Sequence, residues 1–172
     1  MLKTSLSNVL NEQVNAEYYS AYLYLAMSAY ADRTGFKGFA NWFFVQAQEE
    51  MAHGTHIYQY LLERGVKPSF ADIKVPQTEF KSLEAAFAKT LEHEQHVTEL
   101  INNIASVAMR ENDHATYNFI LWFVNEQVEE EASADELLTK IRHIGNNTAM
   151  LYNLDTELAT RVFTNPFAAT AG

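Results

Sequence analysis

The chain has 172 residues, of which 48% are hydrophobic and 20% are charged, and its formal net charge is −10. This length and apolar content suffice for a single domain over residues 1–172 with a sizeable core. The acidic net charge disfavours binding of nucleic acid and favours binding of cations. Because cysteine is absent, disulfides, Cys-ligated zinc and Cys-ligated iron–sulfur clusters are excluded. No apolar run approaches the ~18 residues of a membrane span. Residues 1–8 lack a signal-peptide pattern, so we expect a cytoplasmic protein.

Glycine and proline are scarce and cluster at a few points, which divides the chain into long segments with helical apolar spacing. The longest stretch without either residue, 81–144, is best divided at Asn112-Asp113, where Asp113 is expected to cap a helix. The predicted helices, in chain order, cover residues 5–33, 37–64, 82–110, 114–142 and 148–162.

The loop lengths predict how these helices are arranged. The first and third joints are only a few residues long, so each of the helix pairs they connect must be antiparallel. The second connection, 65–80, can extend to roughly 53 Å, whereas a helix of this size is roughly 42 Å long. We therefore predict an all-α, up-down-down-up four-helix bundle with one long crossover and a short fifth C-terminal helix.

A weak internal repeat relates the two predicted helix pairs. Because apolar matches at helical period are common, the polar residues that recur are the informative ones. An offset of 77 residues takes Glu17 to Glu94, Asn41 to Asn118, Glu49 to Glu126, Glu50 to Gln127 and His53 to Glu130. Five polar positions that keep one offset indicate a pseudo-twofold relation between the pairs.

Polar residues interrupt the apolar seam near the midpoint of each of the four long helices. Glu17, for example, lies seven residues from both Leu10 and Tyr24, which belong to the same seam. The full set is Glu17, Glu50 and His53, Glu94, and Gln127 and Glu130. In the predicted bundle these side chains face inward in one layer at mid-height.

This layer predicts a metal site. Burying an unpaired carboxylate is costly, and the seams supply no Lys or Arg in the layer, so a divalent or trivalent cation is the economical counter-charge. Oxygen-rich ligation with one imidazole suits iron or manganese, with zinc as a competitor. Glu50 and His53 lie on one helical face, and Glu50, opposed by Glu17 and Glu94, can bridge two metals about 3.5–4 Å apart. Of the two Glu-x-x-His motifs of di-iron carboxylate bundles, Glu50-x-x-His53 is present, while the second motif reads Gln127-x-x-Glu130.

Specific segments also carry a family resemblance. They are Ala16-Glu17-Tyr18-Tyr19-Ser20-Ala21-Tyr22-Leu23, Gln48-Glu49-Glu50-Met51-Ala52-His53 and Asn125-Glu126-Gln127-Val128-Glu129-Glu130-Glu131. Together with the short fifth helix, these segments resemble the bacterial non-haem ferritins, and the resemblance covers essentially the whole chain.

The resemblance implies a hollow cage of 24 subunits that oxidises Fe²⁺ with O₂ or H₂O₂ and deposits ferric oxyhydroxide inside. It assigns one iron to Glu17, Glu50 and His53, and the other to Glu50, Glu94 and Glu130, with Gln127 nearby. A third iron position falls at Glu49, Glu126 and Glu129 and shares Glu130. Tyr24 matches a tyrosine that donates an electron or hydrogen-bonds the site.

Two alternatives remain open from the sequence. One is a bacterioferritin, because Met51 occupies the place of a haem-ligating methionine; the missing second Glu-x-x-His predicts no haem. The other is a passive cage whose inner acids nucleate mineral without catalytic oxidation, against which the full ligand set argues. The remaining histidines are expected off the metal layer or on exposed faces, in structural or solvated roles: His56, His93, His96, His114 and His143.

Overall fold

The computed structural model describes residues 2–168, which form five α-helices and no β-strand. Met1 and residues 169–172 of the predicted single domain lie outside the described residues. The helices are α1 (Thr4–Arg33), α2 (Lys37–Glu63), α3 (Leu83–Arg110), α4 (His114–Ile144) and α5 (Thr148–Leu158). This confirms the predicted four-helix bundle with a short fifth helix. None of the helices in the described range is both long enough and apolar enough to span a bilayer.

The long connection between α2 and α3 runs along the length of α1. Near the start of α1, the Asn11 side chain accepts a hydrogen bond from the backbone N–H of Ser69 at 2.7 Å. At the end of α1, Arg33 forms an ion pair of 2.6 Å with Glu79. A connection that touches both ends of one helix must cross the whole bundle, as the loop length predicts.

Polar side chains cap the two long helices that follow the crossover. Ser82 accepts from the Ala85 N–H at 3.0 Å and begins α3, and Asp113 accepts from the Thr116 N–H at 2.9 Å and begins α4, as predicted. Arg64 lies 2.7 Å from Asp113, and this hydrogen-bonded charge holds the pKa of the Asp113 carboxyl well below its usual range.

Helix α5 ends at Leu158, so the predicted end at residue 162 is wrong. Its apolar spacing does continue beyond Leu158. The side-chain amide of Asn41 on α2, however, donates hydrogen bonds to the carbonyl oxygens of Leu158 and Arg161 at 3.1 and 2.9 Å. These contacts turn the chain out of the helix. The start of α5 is held by Asn147, which accepts from the Met150 N–H at 3.2 Å.

A close approach between backbones docks α5 against α2. A Cβ atom at Gly38 would lie 1.6 Å from the carbonyl oxygen of Asp155, so only glycine fits there. The Asp155 carboxylate accepts from the Phe39 N–H at 2.9 Å, in the first turn of α2. An anionic acceptor at this helix end satisfies an otherwise free donor and suits the helix dipole.

The core consists of two apolar clusters separated along the bundle. One cluster contains Phe39, Phe43 and Phe87, together with side chains from α5. The other contains Leu10 and Ile101, together with side chains from the far half of the bundle. The layer of polar residues lies between them, so apolar packing above and below isolates it from water.

Candidate metal centre

The structure buries the whole predicted polar layer. Each of its members is at most 7% exposed: Glu17, Glu50, His53, Glu94, Gln127 and Glu130. They come from the middle of α1, α2, α3 and α4, as the seam pattern predicts. Four carboxyl groups within one apolar bundle require either protons or a cation.

Three of these residues form a group with metal-ligand spacing. Glu17, Glu50 and His53 each offer a ligand atom, and these atoms all lie within 4.8 Å of one another. Within residues 2–168, Glu17 Oε2 and His53 Nε2 are buried without a hydrogen-bond partner. The other oxygen of Glu17 accepts from Gln13 Nε2 at 2.9 Å, which orients the carboxylate. A cation would satisfy Glu17 Oε2, and the ring nitrogen of His53 that faces the carboxylates is Nδ1, 3.4 Å from Glu50 Oε2, so the donor set fits a metal ion.

Glu94, on α3, is the next carboxylate of the layer and is held by two donors. The Tyr24 hydroxyl donates to Glu94 Oε1, and Gln127 Nε2 donates to Oε2 at 3.3 Å and to the Glu94 carbonyl at 3.2 Å. Tyr24 is fully buried, and its ring stacks on Phe43 at 6.3 Å. Tyr24 therefore contacts the layer directly, through a carboxylate predicted to be a ligand.

Glu130 has a partner that the sequence analysis did not identify. Gln46 Nε2 donates to Glu130 Oε2 at 2.8 Å, across the bundle from α2 to α4. Gln46 is fully buried and lies one helical turn before Glu50. That i, i+4 relation to a predicted ligand was a signal available in the sequence.

Burial makes the layer hold protons near neutral pH. Burial raises the pKa of Glu94 to about 7 and that of Glu130 to about 8. It also raises the pKa of Glu17 and of Glu50 well above the usual value, and the charges of Glu50 on Glu17 and of Glu94 on Glu50 add to the rise. A cation that binds here must displace these protons, because carboxylates coordinate in their ionised form.

The residues of the predicted third iron position are less closely grouped. The carboxylate oxygens of Glu49, Glu126 and Glu129 do not all come within 4.8 Å of one another. Glu49 and Glu126 are half-buried and Glu129 is exposed. Burial raises the pKa of Glu49 and of Glu126. Arg161 lies 2.6 Å from Glu49, which the sequence analysis did not foresee.

His93 was expected off the layer or on an exposed face, but it is buried beside Tyr24. Its Nε2 lies 2.8 Å from the Ser20 hydroxyl, and its ring packs edge-on against Tyr19 and Tyr24 at 5.8 and 6.3 Å. Burial lowers its pKa to about 4, so the ring is neutral at physiological pH. These contacts are consistent with the expected structural role, and the ring is buried rather than on an exposed face because this side of α3 packs against α1.

The match to a known family agrees with this arrangement. The sequence model of the ferritin-like domain matches residues 7–144, which include all but the first three residues of the four long helices and every residue of the buried layer. The chain belongs to the ferritin family. The short helix α5 of this ferritin lies beyond the matched range.

Curated relatives and solved structures support the same assignment. This ferritin is 40% identical to a bacterial non-haem ferritin of Staphylococcus aureus and 42% identical to one of Staphylococcus haemolyticus, over 95% of this chain and 98% of each relative. It is similar to an engineered closed form of the Archaeoglobus fulgidus ferritin, with a TM-score of 0.94 at 46% identity over 95% of this chain and all of that one. A novel open-pore ferritin of the same archaeon aligns with a TM-score of 0.92 at 45% identity, over 94% of this chain and 98% of that one.

Proposed function

We propose that this protein stores iron: it oxidises Fe²⁺ to Fe³⁺ with O₂ or H₂O₂ at a di-iron carboxylate centre and deposits ferric oxyhydroxide inside a homo-oligomeric cage of 24 subunits. The carrying observation is the buried trio Glu17, Glu50 and His53, whose ligand atoms lie within 4.8 Å of one another. Within the described chain the Glu17 Oε2 atom of this trio has no hydrogen-bond partner. An oxygen-rich site with one imidazole suits iron, and anionic oxygens stabilise Fe³⁺ over Fe²⁺, which favours oxidation.

In this proposal two substrate irons share Glu50. One is bound by Glu17, Glu50 and His53, and the other by Glu50, Glu94 and Glu130, with Gln127 nearby. Hydrogen bonds from Gln13, Gln46 and Gln127 orient the outer carboxylates before a cation arrives. Such preorganisation reduces the rearrangement that binding and oxidation require.

Tyr24 is proposed to take part in the reaction through its hydrogen bond to Glu94. Burial and the charge of Glu94 raise the pKa of Tyr24 well above its usual value, so its hydroxyl stays protonated and remains a donor. A protonated tyrosine in contact with a ligand can supply an electron together with that proton. The third iron position at Glu49, Glu126 and Glu129, and the cytoplasmic location, stay predictions.

The passive cage and the haem protein make different predictions. A passive cage needs no buried ligand set, whereas this chain buries four carboxyl groups between two apolar clusters. Met51 is 53% exposed on α2, but the two curated relatives named above are non-haem ferritins. We therefore expect the purified protein to show no Soret absorption band.

Stopped-flow oxidation of Fe²⁺ at two ions per subunit tests the proposal. Glu50→Ala and Glu94→Ala should slow the fast phase by at least about a hundredfold, the scale at which removal of a group that stabilises developing charge slows a reaction. Glu92→Gln, an exposed change on the same helix as Glu94, is the matched control and should oxidise iron at the parent rate. Rates for the two Ala variants equal to that of the parent would refute catalysis at this centre and leave the passive cage.

A further inference from the structure

The chain after α5 folds back across α2 instead of leaving the bundle. Residues 159–168 form the C-terminal segment. Asn41, in the second turn of α2, donates hydrogen bonds to the carbonyl oxygens of Leu158 and Arg161 and so holds the start of this segment. Further along, Phe167 stacks on the ring of His56 with a centroid distance of 3.8 Å and packs on Trp122 at 4.5 Å. The segment therefore crosses from α2 to α4 beside the buried metal layer.

Arg161 is the charged group of this segment, and three contacts fix its side chain. Its Nη2 lies 2.6 Å from Glu49 Oε2, its Nη1 donates to the Trp42 carbonyl at 3.4 Å, and its guanidinium lies 5.0 Å from the centre of the Trp42 ring. The Arg161 and Glu49 side chains are only 29% and 20% exposed. A short ion pair that is partly shielded from water and supported by an aromatic face is more stable than an ordinary surface pair.

This ion pair bears on the proposed third iron position. Glu49 directly precedes the predicted ligand Glu50 on α2, and its side chain is only 20% exposed. A metal ion that uses Glu49 must first break the contact with Arg161. The fixed positive charge also repels any cation approaching that carboxylate.

We propose that Arg161 is a built-in competitor for cations at Glu49 and so sets how tightly a third metal ion binds. The inference rests on the proposed function, because it concerns the third of three metal positions. Arg161 acts through Glu49 and is a positioning residue. The simpler alternative is that Arg161 only anchors the C-terminal segment to α2, in which case its charge has no separate effect on metal binding.

Zinc titration of the assembled, metal-free full-length protein by isothermal calorimetry distinguishes these two roles. In Arg161→Gln, the third binding event should tighten by about five- to tenfold, the equivalent of an ion pair of about 1–1.4 kcal/mol. The two events at the buried centre should keep their affinities. Arg142→Gln removes the same charge from an exposed pair with Glu84 and should leave all events unchanged.

Two further variants separate the charge from the anchoring. In a Glu49→Gln background, Arg161→Gln should no longer change zinc affinity, because its target carboxylate is gone. Phe167→Ala loosens the far end of the segment without changing charge and should shift the third event less than about twofold, well below the effect of a lost charged contact.

Several results would overturn the inference. The first is a third zinc-binding event that has the same affinity in the parent and in Arg161→Gln, or that is absent from both. The second is an equal shift in Arg142→Gln, or an equal effect of Arg161→Gln in the Glu49→Gln background. The third is a shift in Phe167→Ala as large as the shift in Arg161→Gln. Failure of the proposed function gives a different result: the zinc-binding events of the parent would then all persist in Glu50→Ala, or zinc would not bind at all. A third event that appears only in Arg161→Gln supports the inference.

Discussion

Replacing Glu94 by glutamine is expected to stabilise the metal-free protein while it weakens metal binding at the proposed centre. The carboxyl group is 1% exposed, and burial raises its pKa to about 7 from a usual value of 4.5. Glutamine has nearly the same shape, and its oxygen can still accept the hydrogen bond from Tyr24. The substitution therefore removes a buried ionisable group and leaves the packing in place.

The magnitude follows from the pKa difference. One pKa unit is about 1.4 kcal/mol, so Glu94 lowers the free energy of unfolding by about 3 kcal/mol once the pH exceeds 7. Because the pKa is raised in the folded state, this penalty is absent below pH 4.5, grows between pH 4.5 and 7, and is constant above. Part of the gain is lost where the new amide faces that of Gln127, so we expect about 2 kcal/mol, or a Tm higher by roughly 4–8 °C.

Calorimetric scans of the metal-free proteins in chelator, at equal concentration and scan rate, measure this difference. The Tm advantage of Glu94→Gln should be present at pH 7.5 and vanish near pH 4.5, and added zinc should reverse the ranking because only the parent keeps its full ligand set. Glu92→Gln is the matched control, since the exposed Glu92 side chain only pairs with Lys89 at 2.9 Å. A Tm at pH 7.5 no higher than that of the parent, or an advantage that does not depend on pH, would refute the reasoning.

Three further predictions concern Tyr24, Gly38 and Asp113. Tyr24→Phe removes the donor to Glu94 and should slow Fe²⁺ oxidation about tenfold or more in stopped-flow experiments, with an unchanged number of bound zinc ions. Gly38→Ala places a Cβ atom 1.6 Å from the Asp155 carbonyl, so α5 should undock and become accessible to limited proteolysis. Asp113→Ala removes the cap of α4 and leaves a half-buried arginine unpaired, which should lower the free energy of unfolding by about 2–3 kcal/mol in urea denaturation.

Matched variants test each of these three predictions. Tyr22→Phe changes an exposed tyrosine of α1 and should oxidise iron at the parent rate; a Tyr24→Phe rate equal to it would remove Tyr24 from the reaction. Lys37→Ala changes the exposed neighbour of Gly38, and equal proteolysis of the two variants would contradict the close approach. Asp113→Asn keeps a capping oxygen and should retain part of the stability; a loss as large as in Asp113→Ala would show that the charge alone matters.

The buried polar layer was predictable because its signal is local. Carboxylates at the middle of apolar seams are visible in the sequence, since helical periodicity places residues seven apart on one face. The seams thus identified Glu17, Glu50 and Glu94 as buried, and the structure confirms that burial. Their assignment to particular irons stays a prediction.

The sequence by itself determined the five helices, their antiparallel pairing and the inward-facing acids, because periodicity, breakers and loop lengths are properties of contiguous residues. Only the tertiary structure decided which groups meet across the bundle. Gln46 reaches Glu130 from 84 positions away, and Arg161 reaches Glu49 from 112 positions away. A local pattern can show that Gln46 shares a face with Glu50, but it does not show which distant residue each of these side chains contacts, since that depends on how the helices and the C-terminal segment pack. For the same reason, the sequence did not show that Asn41, on another helix, sets the end of α5. Nor did it show that the guanidinium of Arg161 pairs with Glu49 in the predicted acidic cluster.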